Sequence, residues 1–540
     1  MRRTVVIPRA LRRGPLLALA LAASWQREAA AAVVPADPSN YQALLGTLQP
    51  GDTLQLAAGT YTRLTIDGLH GTADAPIVIS GPESGEPAVV VGESCCNTVQ
   101  IYDASFVTVR NLTIDVMGLA VDAVNAKDTP SHDIVIEHNV MQGFPTGEQQ
   151  IVGVNTKVTV WNWIVRDNRI VEPGTGLYLG GSEGDTPFVA GIIERNVVVS
   201  PVGYCMQIKH QNDYALLPDM PEGPHESIIR HNIFIKDDRE SPDGDRPNLL
   251  IGGFPDAGPG SEDVYHVYGN LLFHNPREAL MQATGRFAIH DNLFIDGAAG
   301  FPALAVTSHQ GKSVVLAHVY NNTVYAAGTG ISFSQMATQD DAVVGNLVFA
   351  GSPISGTIVD ARDNLELTVA EAASYVAEPA TMLGAMDFYP LPGAVEGAAL
   401  DLSKFAAQPE YDRDYNGTDK GGFGFRGAYA GAGEDPCGPL DDVVDACGSG
   451  GGGDTGGSEG GGDDGGSGGA DGSGSGGAGG TVDGGGTVDG GGTVDGGDAG
   501  TEAGASDAGA GGCGCAAGAP APSDVAWLVP AWWLRRRRRR

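Results

Sequence analysis

The densest group of side chains able to transfer protons or form hydrogen bonds lies between Tyr204 and Asn212. Within this stretch Lys209 and His210 are adjacent, and Gln207 precedes Lys209 by two residues. Lysine and histidine serve as general bases or acids when their surroundings tune the pKa towards the working pH. We therefore take Lys209 and His210 as candidate catalytic residues and Gln207 as a candidate ligand-binding residue. The alternative for Lys209 is a solvated lysine on an exposed face.

Other kinds of chemical site are not indicated. The sequence has neither a Ser-His-Asp signature nor a phosphate-binding loop motif. The remaining histidines lack the spacing of metal ligands, so no metal site is predicted from them. Asp412 and Asp414 could bind calcium, although a solvated turn is the commoner interpretation of such a pair. The chemistry therefore points back to the stretch around Lys209.

This stretch is part of a repeat. Between Arg110 and Ala350 a short phrase, in which Asn precedes aliphatic or aromatic residues, occurs nine times in steps of 22 to 38 residues. Periods of this length are typical of stacked-repeat architectures. The repeated asparagines are Asn111, Asn139, Asn168, Asn196, Asn232, Asn270, Asn292, Asn322 and Asn346.

Composition indicates that the repeat is made of strands. Each Asn is followed by a run rich in Val, Ile, Leu, Phe and Thr, which favours strand, and no repeat contains a helix-period stretch of about ten residues. We predict an all-β fold, a single-stranded right-handed parallel β-helix of about ten or more coils. The asparagines are expected to be structural, to take the left-handed corner conformation and to hydrogen-bond from coil to coil. A short helix over 41–48, capped by Ser39, is predicted to cover the first coil.

One strand of each coil can be aligned by its inward apolar residue, and the residue that follows then faces outward. This alignment predicts an outward polar strip in which Lys209 is the only charge, with open space on both sides of it at Gly180 and Gly252. The candidate substrate-binding residues of the strip, besides Gln207, are Asn125, Asn155, Gln282 and Thr307, with Arg277 and His309 contributing from neighbouring coils.

Two coils carry extra residues near this strip. The repeats after Asn196 and Asn232 are the longest, at 36 and 38 residues, and their surplus falls in 212–224 and 254–262. Loops on a rigid scaffold often carry binding residues. We expect these two loops to form walls around Lys209.

The opening coils resemble a known superfamily. The segments 41–61 (YQALLGTLQPGDTLQLAAGTY) and 76–82 (PIVISGP) are similar to the first two coils of parallel β-helix polysaccharide lyases of the chondroitinase B and alginate lyase type. The resemblance covers about residues 36–430. It implies cleavage of a uronic-acid polysaccharide by β-elimination, with a Lys as base, an Arg on the next coil and acidic side chains that hold calcium.

Carried over residue by residue, the resemblance places Lys209 at the position of the base. The arginine position falls near Gly252-Gly253, and Gln207 stands where an acid is expected. Our hypothesis is that His210 replaces the missing acid, with Arg277 or His309 assisting. No cofactor is certain, and calcium is possible.

The two ends of the chain read as targeting segments. Residues 1–32 combine arginines, a short apolar run and small residues, which is typical of an export signal. After the β-helix domain, predicted over 33–430, the Gly/Asp/Ser-rich segment 431–511 has the composition of a disordered linker. Residues 512–540, with Cys513, Cys515, an apolar run and six arginines, resemble the C-terminal sorting tail of myxobacterial surface proteins. Cys437 and Cys447 bracket a short loop and are the predicted disulfide.

The charge balance limits the partners. The formal net charge is −34, which argues against binding of nucleic acid. The sequence thus predicts a secreted or surface-located monomer that binds a polysaccharide near Lys209, with a uronic-acid polysaccharide as one candidate and with elimination and hydrolysis as the two candidate reactions. It would associate with the cell envelope through its C-terminal tail. The alternative is a non-catalytic surface protein that uses the same strip for glycan binding or adhesion.

Overall fold

A computed structural model of the 540-residue chain describes residues 31–444. Almost all of the described secondary structure is β-strand, and consecutive strands of the chain pair in parallel with their equivalents one coil further on. The chain is therefore a parallel β-helix, and the predicted all-β fold class is confirmed. Right-handed winding is the rule for parallel strands joined by crossover connections.

Each coil contributes strands to three faces. The first face comprises Val33–Ala36, Thr53–Leu56, Ile77–Ser80, Ser105–Arg110, Ser131–Glu137, Val160–Trp161, Ile164–Arg166, Phe188–Val189, Ile192–Glu194, Glu226–Arg230, Val264–Tyr268, Gly285–His290, Val314–Tyr320, Asp340–Val344 and Asp360–Arg362. The second face comprises Gly59–Thr62, Ala88–Val91, Leu112–Asp115, Val140–Gln142, Arg169–Val171, Val197–Val199, Ile233–Ile235, Leu271–Phe273, Leu293–Asp296, Thr323–Phe333, Leu347–Gly356 and Leu365–Leu367. The third face comprises Leu64–Asp67, Val99–Tyr102, Val124–Ala126, Val152–Thr156, Thr175–Leu179, Met206–Ile208, Leu249–Ile251, Met281–Ala283 and Leu304–Val306, and it is continued by the second halves of Thr323–Phe333 and Leu347–Gly356.

The core lies inside the coils. Because side chains alternate along a strand, one residue of each pair points inward and stacks on its equivalents above and below. On the third face Leu179, Ile208 and Ile251 pair in register and are at most 1% exposed. Burying a side chain of this size stabilises a fold by about 1.5–3 kcal/mol, so the stacked aliphatic residues hold the coils together.

The repeated asparagines form a hydrogen-bonded ladder between the first and second faces. The amide of Asn139 donates to Asn168, and the same contact recurs at 2.9–3.1 Å along the stack. The predicted coil-to-coil bonding is confirmed, and the ladder continues to Asn364, one rung beyond the predicted repeat. At its start Leu112, and not Asn111, occupies the equivalent position and donates its backbone N–H to Asn139.

The prediction that these asparagines adopt the left-handed conformation was wrong for all of them except Asn111. The residue with positive φ is the one that precedes each ladder position, as at His138 (φ 53°), Asp167 (56°) and Arg195 (52°). Asn111 (57°) belongs to this set. The amide must point along the stack to bond its neighbour, so the turn is made one residue earlier.

The first coil is covered by a shorter helix than predicted. The helix spans Tyr41–Leu45, its N-cap is Asn40, and that residue makes no side-chain capping bond. Ser39 instead donates its hydroxyl to Asp37 at 2.6 Å. Tyr41 is buried against Tyr61 of the first coil, with ring centroids 5.1 Å apart.

The far end is covered by a segment with little regular structure. It contains the 3₁₀-helices Val369–Ser374 and Ser403–Phe405 and the antiparallel strands Val376–Glu378 and Asp387–Pro390. Asp414 accepts backbone N–H groups of Thr418 and Ala430, at 2.7 and 2.8 Å. Its carboxylate therefore closes a turn, as predicted, but the turn is not solvated at Asp414, which is only 4% exposed.

The cysteine predictions are tested only in part. Cys437 is disulfide-bonded, but Cys447 lies outside the described residues, as do Cys513, Cys515, the export signal up to residue 30 and the sequence from residue 445. The pairing, the signal, the linker and the tail stay predictions. Within 31–444, Cys95, Cys96 and Cys205 are free thiols, and no helix there is long and apolar enough to cross a membrane.

Candidate functional site on the third face

The strand register divides the predicted strip into two rows. Asn155 pairs with Tyr178, and Tyr178 pairs with Gln207. The register places Lys209 two residues after this central row, at the edge where the strands end. The predicted alignment slipped by two residues at three points: between Asn155 and Gly180, between Gly252 and Gln282, and between Gln282 and Thr307. Both rows face outward because the side-chain period of a strand is two residues.

The pairing gives the part of the central row and the part of the edge row that surround Lys209. The central row is Gln100, Asn125, Asn155, Tyr178, Gln207, Leu250, Gln282, Ala305 and Ser332. The edge row, one residue after each paired inward residue, is Lys127, Lys157, Gly180, Lys209, Gly252, Thr284, Thr307 and Ser334.

Two lysines flank one aromatic ring at the edge. The ammonium nitrogen of Lys157 lies 5.4 Å from the ring centroid of Tyr178, and that of Lys209 lies 5.9 Å from it. Lys157 is exposed, Tyr178 is half-buried, and Lys209 is 4% exposed. Ammonium groups within about 6 Å of an aromatic ring are attracted by its quadrupole. The edge therefore holds a local positive charge on a strongly acidic chain.

The two glycines beside Lys209 have different roles. Gly180 has φ +90°, and a Cβ on it would lie 3.5 Å from Cβ of Lys209, which is ordinary contact. A Cβ on Gly252 would lie 2.3 Å from the backbone nitrogen of His210. The predicted open space at Gly252 was wrong, since the chain after Lys209 fills it.

His210 is packed under a neighbouring turn. A Cβ on Gly184 would come within 2.7 Å of His210 Nε2, and His210 Nδ1 is buried with no hydrogen-bond partner. Burial lowers the pKa of His210, and the nearby charges of Lys209 and Lys312 lower it further. The imidazole is thus held neutral at neutral pH, which suits a proton acceptor better than a proton donor.

A buried carboxylate organises the amides of the central row. Asp122 Oδ2 accepts the side-chain amides of Asn125 and Asn155, each at 2.8 Å, and Oδ1 accepts the backbone N–H of Val152 at 2.9 Å. Burial raises the pKa of Asp122. The Oδ1 atoms of Asn125 and Asn155 are buried without a hydrogen-bond partner. A ligand donor such as a sugar hydroxyl would satisfy them.

The donors of this face do not fit the calcium implied by the resemblance. Calcium takes about 6–8 oxygen ligands, with carboxylates among them. The carboxylate nearest the central amides is Asp122, and both of its oxygens are occupied by N–H donors. Within 31–444 no group of three or more His, Cys, Asp or Glu residues could hold a metal ion. No step of the chemistry is therefore assigned to calcium.

The remaining predicted residues are spread over the face. Gln282 belongs to the central row, two coils from Gln207. Thr307 lies on the edge row three coils from Lys209, about 14 Å away at the usual strand spacing, and His309 follows it in a turn with Lys312. Arg277 precedes the strand Met281–Ala283, at the opposite edge of the face, and its Nε contacts the Asp238 carbonyl oxygen at 3.4 Å. The structure thus separates Arg277 from Lys209.

The two long loops do not form the predicted walls. They meet at the start of the first-face strands, where the backbone N–H of Val264 donates to His225 at 3.0 Å. The pocket between them is lined by residues 214–225 and 258–263, and Lys209 is not part of it. The loops leave the edge row after His210 and run away from it because Gln211 and Asn212 bond to the backbone of Gly253 and Gly184.

Sequence reasoning missed Lys157, Tyr178 and Asp122. Lys157 and Tyr178 were hidden by the slipped register, although both alternate correctly with inward Thr156 and Leu179. Asp122 precedes its strand and carries no repeat signal. An acid three residues before Asn125 on an otherwise apolar strand was the available hint, because a carboxylate at that position needs nearby donors.

Comparison with known proteins gives similar folds only. No protein-family model and no curated protein matches the chain. Among solved structures, it is similar to the alginate lyase from Paenibacillus sp. str. FPU-7, with 14% identity, 62% of this chain and 99% of that chain covered, and a TM-score of 0.31. It is also similar to the A-module of a mannuronan C-5 epimerase from Azotobacter vinelandii (15% identity, 61% and 93% covered, TM-score 0.38) and to the pectate lyase Pel9A (12%, 62% and 79%, 0.32). The strand pairing of the chain, and not these scores, defines its fold.

Proposed function

We propose that this protein is an exported surface protein that binds a uronic-acid polysaccharide along the third face and cleaves it by β-elimination at Lys209. The observation that carries the proposal is the arrangement of Lys157, Tyr178 and Lys209. Two ammonium groups flank one aromatic ring on a chain whose net charge is −34. Export and surface location rest on the sequences of 1–32 and 512–540.

This arrangement suits an acidic sugar. The face of Tyr178 can pack against the apolar face of a pyranose ring, while Lys157 is placed to meet the carboxylate of that sugar and Lys209 lies on the other side of the ring. The two lysines lie two coils apart, about 10 Å at the usual strand spacing. The unpartnered Oδ1 atoms of Asn125 and Asn155 would accept sugar hydroxyls further along the face. A polyanion is therefore bound at one local site, against the overall charge.

Elimination follows from the same residues. Lys157 would neutralise the uronate carboxylate, which acidifies the proton on C5. Lys209 in its neutral form would take that proton; the C5–H and C4–O bonds break, a C4–C5 double bond forms, and the ammonium of Lys209 returns the proton to the leaving oxygen. His210, neutral and packed against Gly184, keeps no proton in this cycle, because the proton taken from C5 ends on the leaving oxygen.

The test uses the full-length protein and a panel of uronic-acid polysaccharides. We expect ultraviolet absorbance of the unsaturated product to rise, and Lys209→Ala to lower the rate by about 10²–10⁴-fold, the usual contribution of a general base. The rate should be unchanged by a calcium chelator, because the donor set does not fit that ion. A rate abolished by the chelator would contradict the mechanism.

A second candidate, binding without cleavage, is favoured by one observation. The coils on either side of Lys209 present Tyr178 and Leu250 in the central row, and Gln207 itself is neutral, so the row places no carboxylate beside Lys209. A flat absorbance trace with retained affinity for the same polysaccharides would select this candidate. If the unmodified protein neither cleaves nor binds any polysaccharide of the panel, the proposal that it recognises uronic acids is wrong.

A further inference from the structure

The two long loops enclose a pocket of their own, and this pocket plays no part in the proposed function. It has a volume of about 460 Å³ and is lined only by residues of the segments 214–225 and 258–263. This volume falls within the range of about 300–1,000 Å³ typical of small-molecule sites. The loops are the surplus of the two longest coils, so the repeat itself does not require them.

The walls of the pocket are held in place by specific hydrogen bonds and packing contacts. At its base the strands Glu226–Arg230 and Val264–Tyr268 pair in register, and the backbone N–H of His225 donates to Asp263 Oδ1 at 2.8 Å. On one side Tyr214 packs against the cluster of Trp161, Val189 and Met220. A Cβ on Gly260 (φ +80°) would lie 2.6 Å from the Tyr214 hydroxyl. The loop can approach Tyr214 only because a glycine stands there.

Several polar atoms of the lining have no protein partner. The hydroxyl of Tyr214 and both ring nitrogens of His225 are buried without a hydrogen bond. His225 Nδ1 lies 3.4 Å from Asp263 Oδ1, which is longer than a good hydrogen bond. Buried polar groups are normally satisfied, so unsatisfied ones on residues that line a pocket are candidates to bond a ligand there.

The charge of the lining has one sign. Glu222, Glu262 and Asp263 contribute three carboxylates, and no Lys or Arg lines the pocket. Asp263 is 3% exposed, whereas both glutamates are exposed at the rim. A uronate would be repelled here, while a positive charge would be attracted. A bare metal ion does not fit, because no three metal-ligating side chains in 31–444 converge on one point.

We propose that this pocket binds a small organic cation, a protonated amine carried on a ring of sugar size. The amine would lie against Asp263 and the rim glutamates, and hydroxyls of the ring would bond to Tyr214 and His225. Leu216, 39% exposed, and the prolines of the two loops would cover the apolar side of the ring. The site is thus selective for charge opposite to that selected by the third-face edge.

Calorimetric titration of the full-length protein with three matched sugars tests the proposal. Glucosamine carries the amine, N-acetylglucosamine replaces it with a neutral amide, and glucuronic acid carries a negative charge. We expect glucosamine to bind about tenfold or more tightly than N-acetylglucosamine, as one charge contact of about 1.4 kcal/mol would give, and glucuronic acid not to bind at the pocket. Equal binding of the amine and the amide, or no binding of glucosamine, would overturn the proposal.

Two charge-neutralising variants localise the effect. Glu262→Gln should weaken glucosamine binding several-fold, whereas Glu240→Gln, which removes the same charge from an exposed position outside the pocket, should leave it unchanged. Equal loss in both variants would mean that glucosamine responds to the net charge of the chain and not to this pocket. Because the strip is not involved, polysaccharide cleavage should be the same in both variants.

Discussion

Two stacks of side-chain amides run along this β-helix, and they are bonded in different ways. In the corner ladder Asn232 donates to Asn270 Oδ1, Ile193 O and Arg230 O, and its own Oδ1 accepts from Asn196. On the third face, Asn125 and Asn155 both donate to one carboxylate, and their Oδ1 atoms have no partner. In the first stack the amide oxygen has a donor, and in the second the two amide oxygens, although buried, have none.

The difference separates residues that build the fold from residues placed to contact a ligand. A buried polar network in which each member is satisfied is rigid and specifies one packing. A buried acceptor without a donor costs free energy in the folded protein, and such groups are concentrated at functional sites. Amide stacks in a β-helix should therefore be compared by their unsatisfied atoms, since residue type and spacing are the same in both.

The largest expected effect is on stability at the corner. Asn232→Ala removes the two N–H donors that are shared among Ile193 O, Arg230 O and Asn270 Oδ1, and it leaves the backbone N–H of Asn196 without its acceptor. We expect the free energy of unfolding to fall by about 3–5 kcal/mol, measured by chemical denaturation. Asn364→Ala is the control, because this half-buried last rung donates only to Val343 O and accepts from one neighbour.

The free energy of unfolding of a third-face variant tests whether the two amide stacks differ in their contribution to stability. Asn155→Ala removes one bond to Asp122 and an Oδ1 that has no partner, so we expect a loss of only about 1 kcal/mol. Polysaccharide affinity should fall together with it. If Asn155→Ala destabilises the protein as much as Asn232→Ala does, the two stacks are equally structural, and the open acceptors do not mark a ligand site.

A further prediction concerns the loss of stability in acid that is caused by His290, two residues before the ladder residue Asn292. His290 is fully buried, stacked between Tyr268 and Tyr320 at centroid distances of 4.9 and 4.6 Å, and its Nδ1 bonds to Asp291 at 2.7 Å. Burial lowers the pKa of His290 well below 6.5, and the charge of Lys420 adds to this. As pH falls through about 6.5, the unfolded chain takes up a proton that the folded protein does not, so stability decreases.

His290→Phe keeps the aromatic stack and removes the titration. We expect a modest loss of stability at about pH 7, from the missing bond to Asp291, and a smaller loss between about pH 7 and pH 5 than in the unmodified protein. Thermal unfolding followed across this pH range measures both. An unchanged pH dependence would show that other buried groups, such as His318, whose pKa burial also lowers, account for the acid sensitivity.

The sequence was sufficient for the fold because each coil repeats the same pattern. The period, the strand-rich composition and the asparagines led to a parallel β-helix, and the structure confirms it. Within the coils, the errors in position were of one residue or two, at the left-handed corner residue and in the third-face register. A shift of two residues keeps the same side chains outward, so hydrophobic alternation alone could not distinguish Lys157 from Asn155 as the neighbour of Gly180.

The candidate site was harder to predict because it depends on contacts between coils. Lys209 was found from local composition, but Tyr178, its aromatic neighbour, is recognised only once the register is known. The loops after Asn212 and Phe254 were correctly taken as insertions, yet their direction is set by backbone bonds at Gly184 and Gly253. The direction of an inserted loop cannot be predicted from the repeat pattern, because the loop is not part of the repeat.

The smallest expected effect sharpens the description of the third-face edge. Lys127 and Lys157 occupy adjacent edge-row positions one coil apart, but only Lys157 lies within 5.4 Å of the Tyr178 ring. We expect Lys157→Gln to weaken uronic-acid polysaccharide binding by about 3–10-fold and to reduce its salt dependence, because one charge contact beside the Tyr178 ring is lost. Lys127→Gln, with the same charge change, should weaken binding by less than about twofold.

Binding measured from low salt to about 1 M, where the Debye length is about 3 Å, distinguishes two outcomes. If the variants differ as expected, recognition depends on the contact at Tyr178. If they lose affinity equally, the edge attracts the polysaccharide only through its general positive charge, and the contact at Tyr178 is not a specific binding site.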